Sequence, residues 1–221
     1  MAAAATLPRI DAGAPPFVLL DDARIRGAAA ARLFVDPVET LVAATPADIP
    51  DLLSALQAAA GRGLHAAGYL AYGAGQGLAP AWRGGTTAVA DREPLAWFGL
   101  FDRVERIDAD RVAALLPDPD GAWVGGIKPR IARADFLATV EAVLAYIAAG
   151  DIYQANLTFR ADVAVLGNPL AVYARLRETA RAGYGGFIWT GDRAIASLSP
   201  ELFFALRGGA VTARPMKGTA A

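Results

Sequence analysis

Two hydrophobic periods alternate along this chain. Phe17-Val18-Leu19-Leu20 is a short apolar run ending at Asp21-Asp22, which predicts a buried strand. Thr45-Pro46 then offers an N-cap followed by proline at the first helical position, and Ile49, Leu52, Leu53 and Leu56 form a helical stripe that Gly61 stops. Strand-like runs follow at Ala66–Tyr72 and Leu95–Val104. Gly73-Ala74-Gly75-Gln76-Gly77 and Gly84-Gly85 predict turns between them.

Leu116-Pro117-Asp118-Pro119-Asp120-Gly121 has two prolines and no apolar period, so a boundary is expected there, dividing residues 1–120 from 121–221. Beyond it, Phe136, Leu137, Val140, Val143, Leu144 and Ile147 keep helical spacing up to Gly150, a suitable C′ residue, in a helix expected to pack against the next segment of the chain. From Tyr153 to Val165 the period becomes two, with Tyr153, Ala155, Leu157, Phe159, Ala161, Val163 and Val165 on one face and Gln154, Asn156, Thr158, Arg160 and Asp162 on the other. A long half-buried strand is expected. Asn168-Pro169 starts another amphipathic helix with Leu170, Tyr173 and Leu176 inward. Strands at Phe187–Trp189, Ala194–Leu198, Leu202–Leu206 and Ala210–Arg214 complete the pattern, with turns at Thr190-Gly191-Asp192-Arg193 and Arg207-Gly208-Gly209. Antiparallel strands mixed with helices argue for an α+β fold.

Composition narrows the function. With 221 residues, 55% of them hydrophobic, and a mean hydropathy of +0.33, the chain can bury a substantial core. Its 21 Lys and Arg nearly balance 22 Asp and Glu, so no overall field gathers nucleic acid or anionic lipid. The lack of cysteine excludes disulfides, thiolate metal sites and a cysteine nucleophile, and with His65 as the only histidine it removes an N/S metal site. No apolar run reaches the ~18 residues that a membrane span needs, and Met1-Ala2-Ala3-Ala4-Ala5 lacks the basic start of a secretory signal. A cytoplasmic location is expected.

The residues with chemical promise gather near the C-terminus. Thr212-Ala213-Arg214-Pro215-Met216-Lys217-Gly218-Thr219 places a lysine at a strand end. An amine with the ordinary pKa of ~10.4 is almost wholly protonated at pH 7, and lowering it to ~7–8 needs about 4 kcal/mol of differential environment. Burial at the end of a core strand and the neighbouring cation Arg214 are the two means available. Hairpin connectivity would bring Glu201, after Ser199-Pro200, near Lys217, where a carboxylate can handle a proton. Gly73–Gly77 is no dinucleotide loop, because Ala79-Pro80 stands where the helix should begin, and Lys217-Gly218-Thr219 lacks the preceding glycine of a P-loop.

Taken together, Gly150-Asp151-Ile152-Tyr153-Gln154-Ala155-Asn156-Leu157-Thr158, Ser199-Pro200-Glu201-Leu202-Phe203 and Arg214-Pro215-Met216-Lys217-Gly218-Thr219 resemble the chorismate-utilising enzymes, most closely the aminodeoxychorismate synthase component I group. Phe17–Ala23 and Gly68–Tyr72 are similar to the N-terminal region of the same proteins. The resemblance implies a two-sheet antiparallel β-sandwich with flanking helices, of which this chain is an N-terminal part, incomplete at its C-terminus. It implies that Lys217 adds to C2 of chorismate as the C4 hydroxyl leaves, that ammonia then takes C4, that Glu201 is the catalytic glutamate, and that Gly218 and Thr219 contact chorismate. Ammonia would come from a glutamine amidotransferase partner, and Mg²⁺ would be held by glutamates of later motifs, so no metal ligand is expected in this chain. The product would be 4-amino-4-deoxychorismate, on the way to p-aminobenzoate and folate.

Anthranilate synthases share the other motifs but typically carry alanine at the lysine position. Two readings compete with the first: an anthranilate synthase-like aminating enzyme that carries lysine, and a non-catalytic binding protein that pairs with an amidotransferase. The chain departs from the family where some members bind tryptophan. Asp22 stands in place of a common serine, and Gly183-Tyr184-Gly185 in place of a proline-containing segment.

Overall fold

Phe17, Val18 and Leu19 are fully buried on both faces of the first strand, β1 (Phe17–Asp21), because that strand lies at the centre of the main sheet. The computed structural model describes residues 7, 14–79 and 93–214. Along the first half run β2 (Ala31–Val35), β3 (Glu39–Ala43), α1 (Ile49–Gly61), β4 (His65–Leu70), α2 (Gly75–Leu78), β5 (Ala96–Phe101), β6 (Glu105–Ile107) and α3 (Ala109–Leu115). The second half holds β7 (Ala122–Val124), β8 (Lys128–Pro129), α4 (Arg133–Ala149), β9 (Ala161–Asp162), β10 (Val165–Gly167), α5 (Pro169–Ala180), β11 (Tyr184–Trp189), β12 (Ala194–Ser199), β13 (Leu202–Arg207) and β14 (Ala210–Arg214). The result is a mixed α and β fold whose strand pairs are all antiparallel.

The main sheet has the order β12-β11-β1-β2-β6, and a second sheet has β3-β5-β4. Strand alternation sends the two faces of the main sheet into different cores. Phe17, Leu19, Leu33 and Phe187 meet Val112 of α3 and Leu170 and Tyr173 of α5. Val18, Phe34 and Ile188 meet Ala67, Trp97 and Phe101 of the second sheet. The far side of that sheet packs Ala43, Leu95 and Ala96 on Ile49 and Leu52 of α1. Each fully buried large side chain contributes roughly 1.5–3 kcal/mol, and the Phe17–Phe187 stack at 5.8 Å adds a favourable ring geometry. Because β1 pairs with β11, strands from either side of residue 120 share one sheet. The 116–121 segment ends in a short 3₁₀ turn, Pro119–Gly121, which Arg175 of α5 holds through the Pro119 carbonyl and the Asp120 carboxylate.

Local expectations meet mixed outcomes. Thr45-Pro46 opens a 3₁₀ turn, Pro46–Asp48, that leads into α1, with the Asp48 carboxylate accepting from the Thr45 amide at 2.8 Å. Asn168 caps α5 through the Leu170 amide, and Gly150 ends α4 with a left-handed φ of 81° that suits glycine. The Gly73–Gly77 segment is helical rather than an open turn, lying in a 3₁₀ turn and α2. Gly84-Gly85 lies outside the described residues. The Leu95–Val104 run breaks at Asp102, where β5 turns into β6.

Three expectations fail, two of them for lack of a packing partner. Residues 153–160 are not a strand, and only the two-residue β9 and three-residue β10 form between them and α5. A period of two states which side chains a strand would bury, but the strand itself needs a hydrogen-bonded neighbour. None of the 17 residues of α4 is buried; its ring contact is Phe136 against Phe159, at 5.3 Å. Leu176 of α5, expected inward, is exposed, because the stripe facing the sheet is Leu170, Ala171, Tyr173 and Ala174.

Candidate functional site

Glu201 is positioned by the end of β12. Register pairs Tyr184 with Ser199, so the Ser199-Pro200-Glu201 turn leaves the main sheet beside the start of β11. The Ser199 hydroxyl accepts from the Glu201 amide at 3.2 Å and donates to its carbonyl at 3.1 Å, a closed local loop that sets the turn. Pro200 supplies no amide that would need a partner. Glu201 is half-buried, and Leu202 after it pairs with Arg214 in the β13–β14 hairpin. The hairpin therefore brings the Glu201 end of the chain alongside Arg214.

Lys217, Gly218 and Thr219 lie outside the described residues. The strand that leads toward them, β14, is exposed at every residue, Arg214 included. The hairpin stands as a two-stranded ribbon of its own. Gln154, Asn156, Thr158 and Arg160 are exposed on the irregular 153–160 segment rather than on a sheet face. His65 is exposed at the start of β4. A cavity of about 390 Å³ opens beside β7 and β9, lined by Trp123, Gly125, Lys128 and Asp162 among others, and neither Ser199 nor Glu201 borders it.

Two adjacent carboxylates at the end of β1 each gather several hydrogen bonds. Asp21, with a side chain 0% exposed, accepts from Tyr173 Oη at 3.1 Å and from Arg177 Nε at 2.5 Å and a second guanidinium nitrogen at 3.3 Å. Tyr173 and Arg177 are four residues apart, so one face of α5 presents both. Burial first, and the Asp21 charge second, raise the Tyr173 pKa far above its usual value, so its hydroxyl stays a donor. Burial opposes the charge on Arg177, but the hydrogen bonds and charge of Asp21 outweigh it and raise its pKa.

Asp22 turns to the other partner. Its carboxylate accepts from the Arg24 guanidinium at 2.6 and 2.9 Å, from the Arg24 amide at 3.2 Å and from the Ala29 amide at 2.9 Å. The Arg24 hydrogen bonds hold its pKa down to about 2 against the opposing effect of burial. The Arg24 side chain in turn covers Gly183, where a Cβ would sit 3.2 Å from its Nε. Asp22 and Gly183, which depart from the members that bind tryptophan, are thus joined by one arginine.

Sequence reasoning did not single out Asp21, Tyr173 and Arg177. The available signal was the charge at the end of the apolar run Phe17–Leu20, together with the four-residue spacing of Tyr173 and Arg177. Among the described residues no three His, Cys, Asp or Glu side chains converge as a group of metal ligands. Also among them, no helix is long and apolar enough to cross a membrane.

Comparison with known proteins converges on one family. The family model for chorismate binding enzymes matches residues 16–221. Aminodeoxychorismate synthase component 1 of Salmonella typhimurium is 36% identical over 98 residues, which is 44% of this chain and 21% of the relative. The Bacillus subtilis protein of the same name is 36% identical over 84 residues, 38% of this chain and 18% of the relative. Anthranilate synthase component 1 of Thermus thermophilus is 33% identical over 112 residues, 49% of this chain and 24% of the relative. The matched segments thus span about a fifth to a quarter of these relatives' lengths. With the family model covering nearly the whole chain, including the Ser199-Pro200-Glu201 turn, the chain belongs to the chorismate binding enzyme family.

Proposed function

We propose that this chain is part of an aminodeoxychorismate synthase component I, which converts chorismate and ammonia to 4-amino-4-deoxychorismate. The observation that carries the proposal is the family match over residues 16–221 joined to Lys217 in the Pro215-Met216-Lys217-Gly218-Thr219 string. In the proposed reaction the neutral Lys217 amine forms a bond to C2 of chorismate as the C4–hydroxyl bond breaks, and Glu201 delivers the proton that lets the hydroxyl leave as water. Ammonia then bonds to C4 as the lysine departs from C2, which restores the free amine. Gly218 and Thr219 contact the substrate.

The ammonia is proposed to come from a glutamine amidotransferase partner, in the cytoplasm. Mg²⁺ would neutralise the substrate carboxylate from ligands on further polypeptide. The two sheets that share the Val18, Phe34 and Trp97 cluster, with helices on their outer sides, support a two-sheet sandwich; the proposed division near residue 120 into an N-terminal region and the first part of a catalytic domain is one of chain order, since β1 and β11 share the main sheet. The exposed α4 and β13–β14 ribbon support a fold that packs against further polypeptide before it turns over substrate.

The test is product analysis with chorismate, Mg²⁺ and ammonia. The chain alone is expected to make no 4-amino-4-deoxychorismate, and the protein that carries it with the remaining catalytic region is expected to make it. Anthranilate as the main product would overturn the proposal in favour of the second reading, which the 33% identity to the Thermus thermophilus anthranilate synthase component keeps in view.

A further inference from the structure

We propose that Asp21, Tyr173 and Arg177 form a positioning lock that sets where the Ser199-Pro200-Glu201 turn leaves the main sheet. The register places them together. Asp21 of β1 pairs with Gly185 of β11, and Gly185 pairs with Leu198 of β12, so the three occupy one row across the sheet. Ser199 is the next residue along, and Glu201 comes two positions later.

Among the described residues β12 is an edge strand, with β11 as its one neighbour in the sheet and no strand on its other side to fix its end. Helix α5 provides the remaining support. It packs against both β11 and β12, and Leu198 rests on the apolar cluster that contains Tyr173. Apolar contact alone is non-directional and lets a helix slide or rotate over a sheet. The Asp21 carboxylate removes that freedom, since it accepts from a forked guanidinium and a hydroxyl that both come from α5. The lock fixes the helix on β1, and the helix fixes the end of β12.

Gly185 is part of the same device. A Cβ there would lie 2.7 Å from Tyr173 Oη, so a side chain at the middle of the row would push the hydroxyl away from the carboxylate. The lock's importance for chemistry rests on the chorismate reading of Glu201, whereas its geometry and its test do not.

The test is residue-resolved amide hydrogen exchange on the 221-residue chain and two variants, Asp21→Asn and Tyr173→Phe. The phenylalanine variant keeps the ring in its cluster and removes only the hydroxyl. In Asp21→Asn the amides of β12 that pair with β11 are expected to accelerate about tenfold more than the β5 amides of the second sheet, with a smaller difference in the same direction in Tyr173→Phe. Equal acceleration in both sheets would mean that the triad serves stability in general, and would overturn the proposal. Unchanged exchange in β12 would overturn it as well. If Asp21→Asn does not fold, the Tyr173→Phe pattern decides by the same comparison. Loss of the chorismate reading would leave these rates untouched, so the two failures are distinguishable.

Discussion

Gly185 faces Asp21 across the β1–β11 pair at a point where a Cβ would stand 3.2 Å from the Asp21 carbonyl oxygen and closer still to the Tyr173 hydroxyl. The Tyr173 residue is fully buried, with its ring 5.7 Å from that of Phe187. Gly185→Ala is therefore expected to destabilise the fold by about 1–3 kcal/mol, the usual cost of overpacking. Urea unfolding would show a lower midpoint with an unchanged slope. An unchanged midpoint would mean that α5 retreats from β11 without cost.

Arg177 and Asp21 should show the asymmetry of a buried ion pair. Removing the cation alone, as in Arg177→Met, leaves a buried carboxylate with one hydroxyl donor and is expected to cost roughly 3–5 kcal/mol. The double variant Asp21→Leu with Arg177→Met should regain most of that loss, because no charge remains to be solvated. A double-mutant cycle on unfolding free energies measures the coupling. Strict additivity of the two single changes would show that the pair is not coupled in the folded state.

Asp22 predicts a pH dependence with a definite sign. Its folded pKa of about 2 lies below the ordinary 3.8, so its stabilisation is complete above pH ~4 and fades as pH falls toward 2. Arg24 is half exposed, and solvent screening limits the gain to about 1–2 kcal/mol. Wild type should exceed Asp22→Asn in stability by that amount at neutral pH, and the gap should close in acid. A gap that is constant between pH ~6 and ~2 would refute the assignment.

The β13–β14 ribbon predicts an effect on association rather than on stability. Phe203 is 86% exposed and Val211 71% exposed, so Phe203→Ser and Val211→Ser should each change unfolding free energy by less than about 0.5 kcal/mol. Both should reduce self-association, because an exposed apolar ribbon with open edges is a template for pairing. Sedimentation at several concentrations compares them with wild type. A large loss of stability would show that the ribbon is packed in solution.

Lys217 separates nucleophilic from electrostatic catalysis in the protein that carries the complete catalytic region. Both Lys217→Ala and Lys217→Arg are expected to remove most formation of 4-amino-4-deoxychorismate, since arginine keeps the charge but supplies no neutral amine. Ammonia-dependent turnover, with circular dichroism to confirm folding, checks this. Product formation near wild type by the arginine variant would leave Lys217 as a substrate-positioning cation.

Several elements whose partners lie within the chain were legible. The apolar run Phe17–Leu20, the Asn168-Pro169 start of α5 and the paired glycines at 208–209 each carry their own local reason, and each element forms. β2 and α3 were not, because Ala31–Val35 contains Arg32 and Ala109–Leu115 is too short to show a period. The 153–165 segment alternates as expected yet forms no long strand, because alternation says nothing about whether a neighbour exists. For the site, the Ser199-Pro200-Glu201 turn was legible from its three residues. The Asp21–Arg177 pair was not, since about 156 positions separate its members and only the β1–β11 register brings them together.

Leu19 has its two cross-strand neighbours at unequal distances along the chain, Leu33 on one side and Phe187 on the other. During synthesis at ~5–20 residues per second, the Leu33 side can close within a few seconds, whereas Phe187 emerges roughly 10–30 s later. Over that interval the central strand of the finished sheet is an open edge carrying Phe17 and Leu19, and α5 does not yet exist to cover them. Until β11 emerges, Phe17 and Leu19 lack their cover on that side, and a slow stretch of translation before β11 would lengthen that exposure.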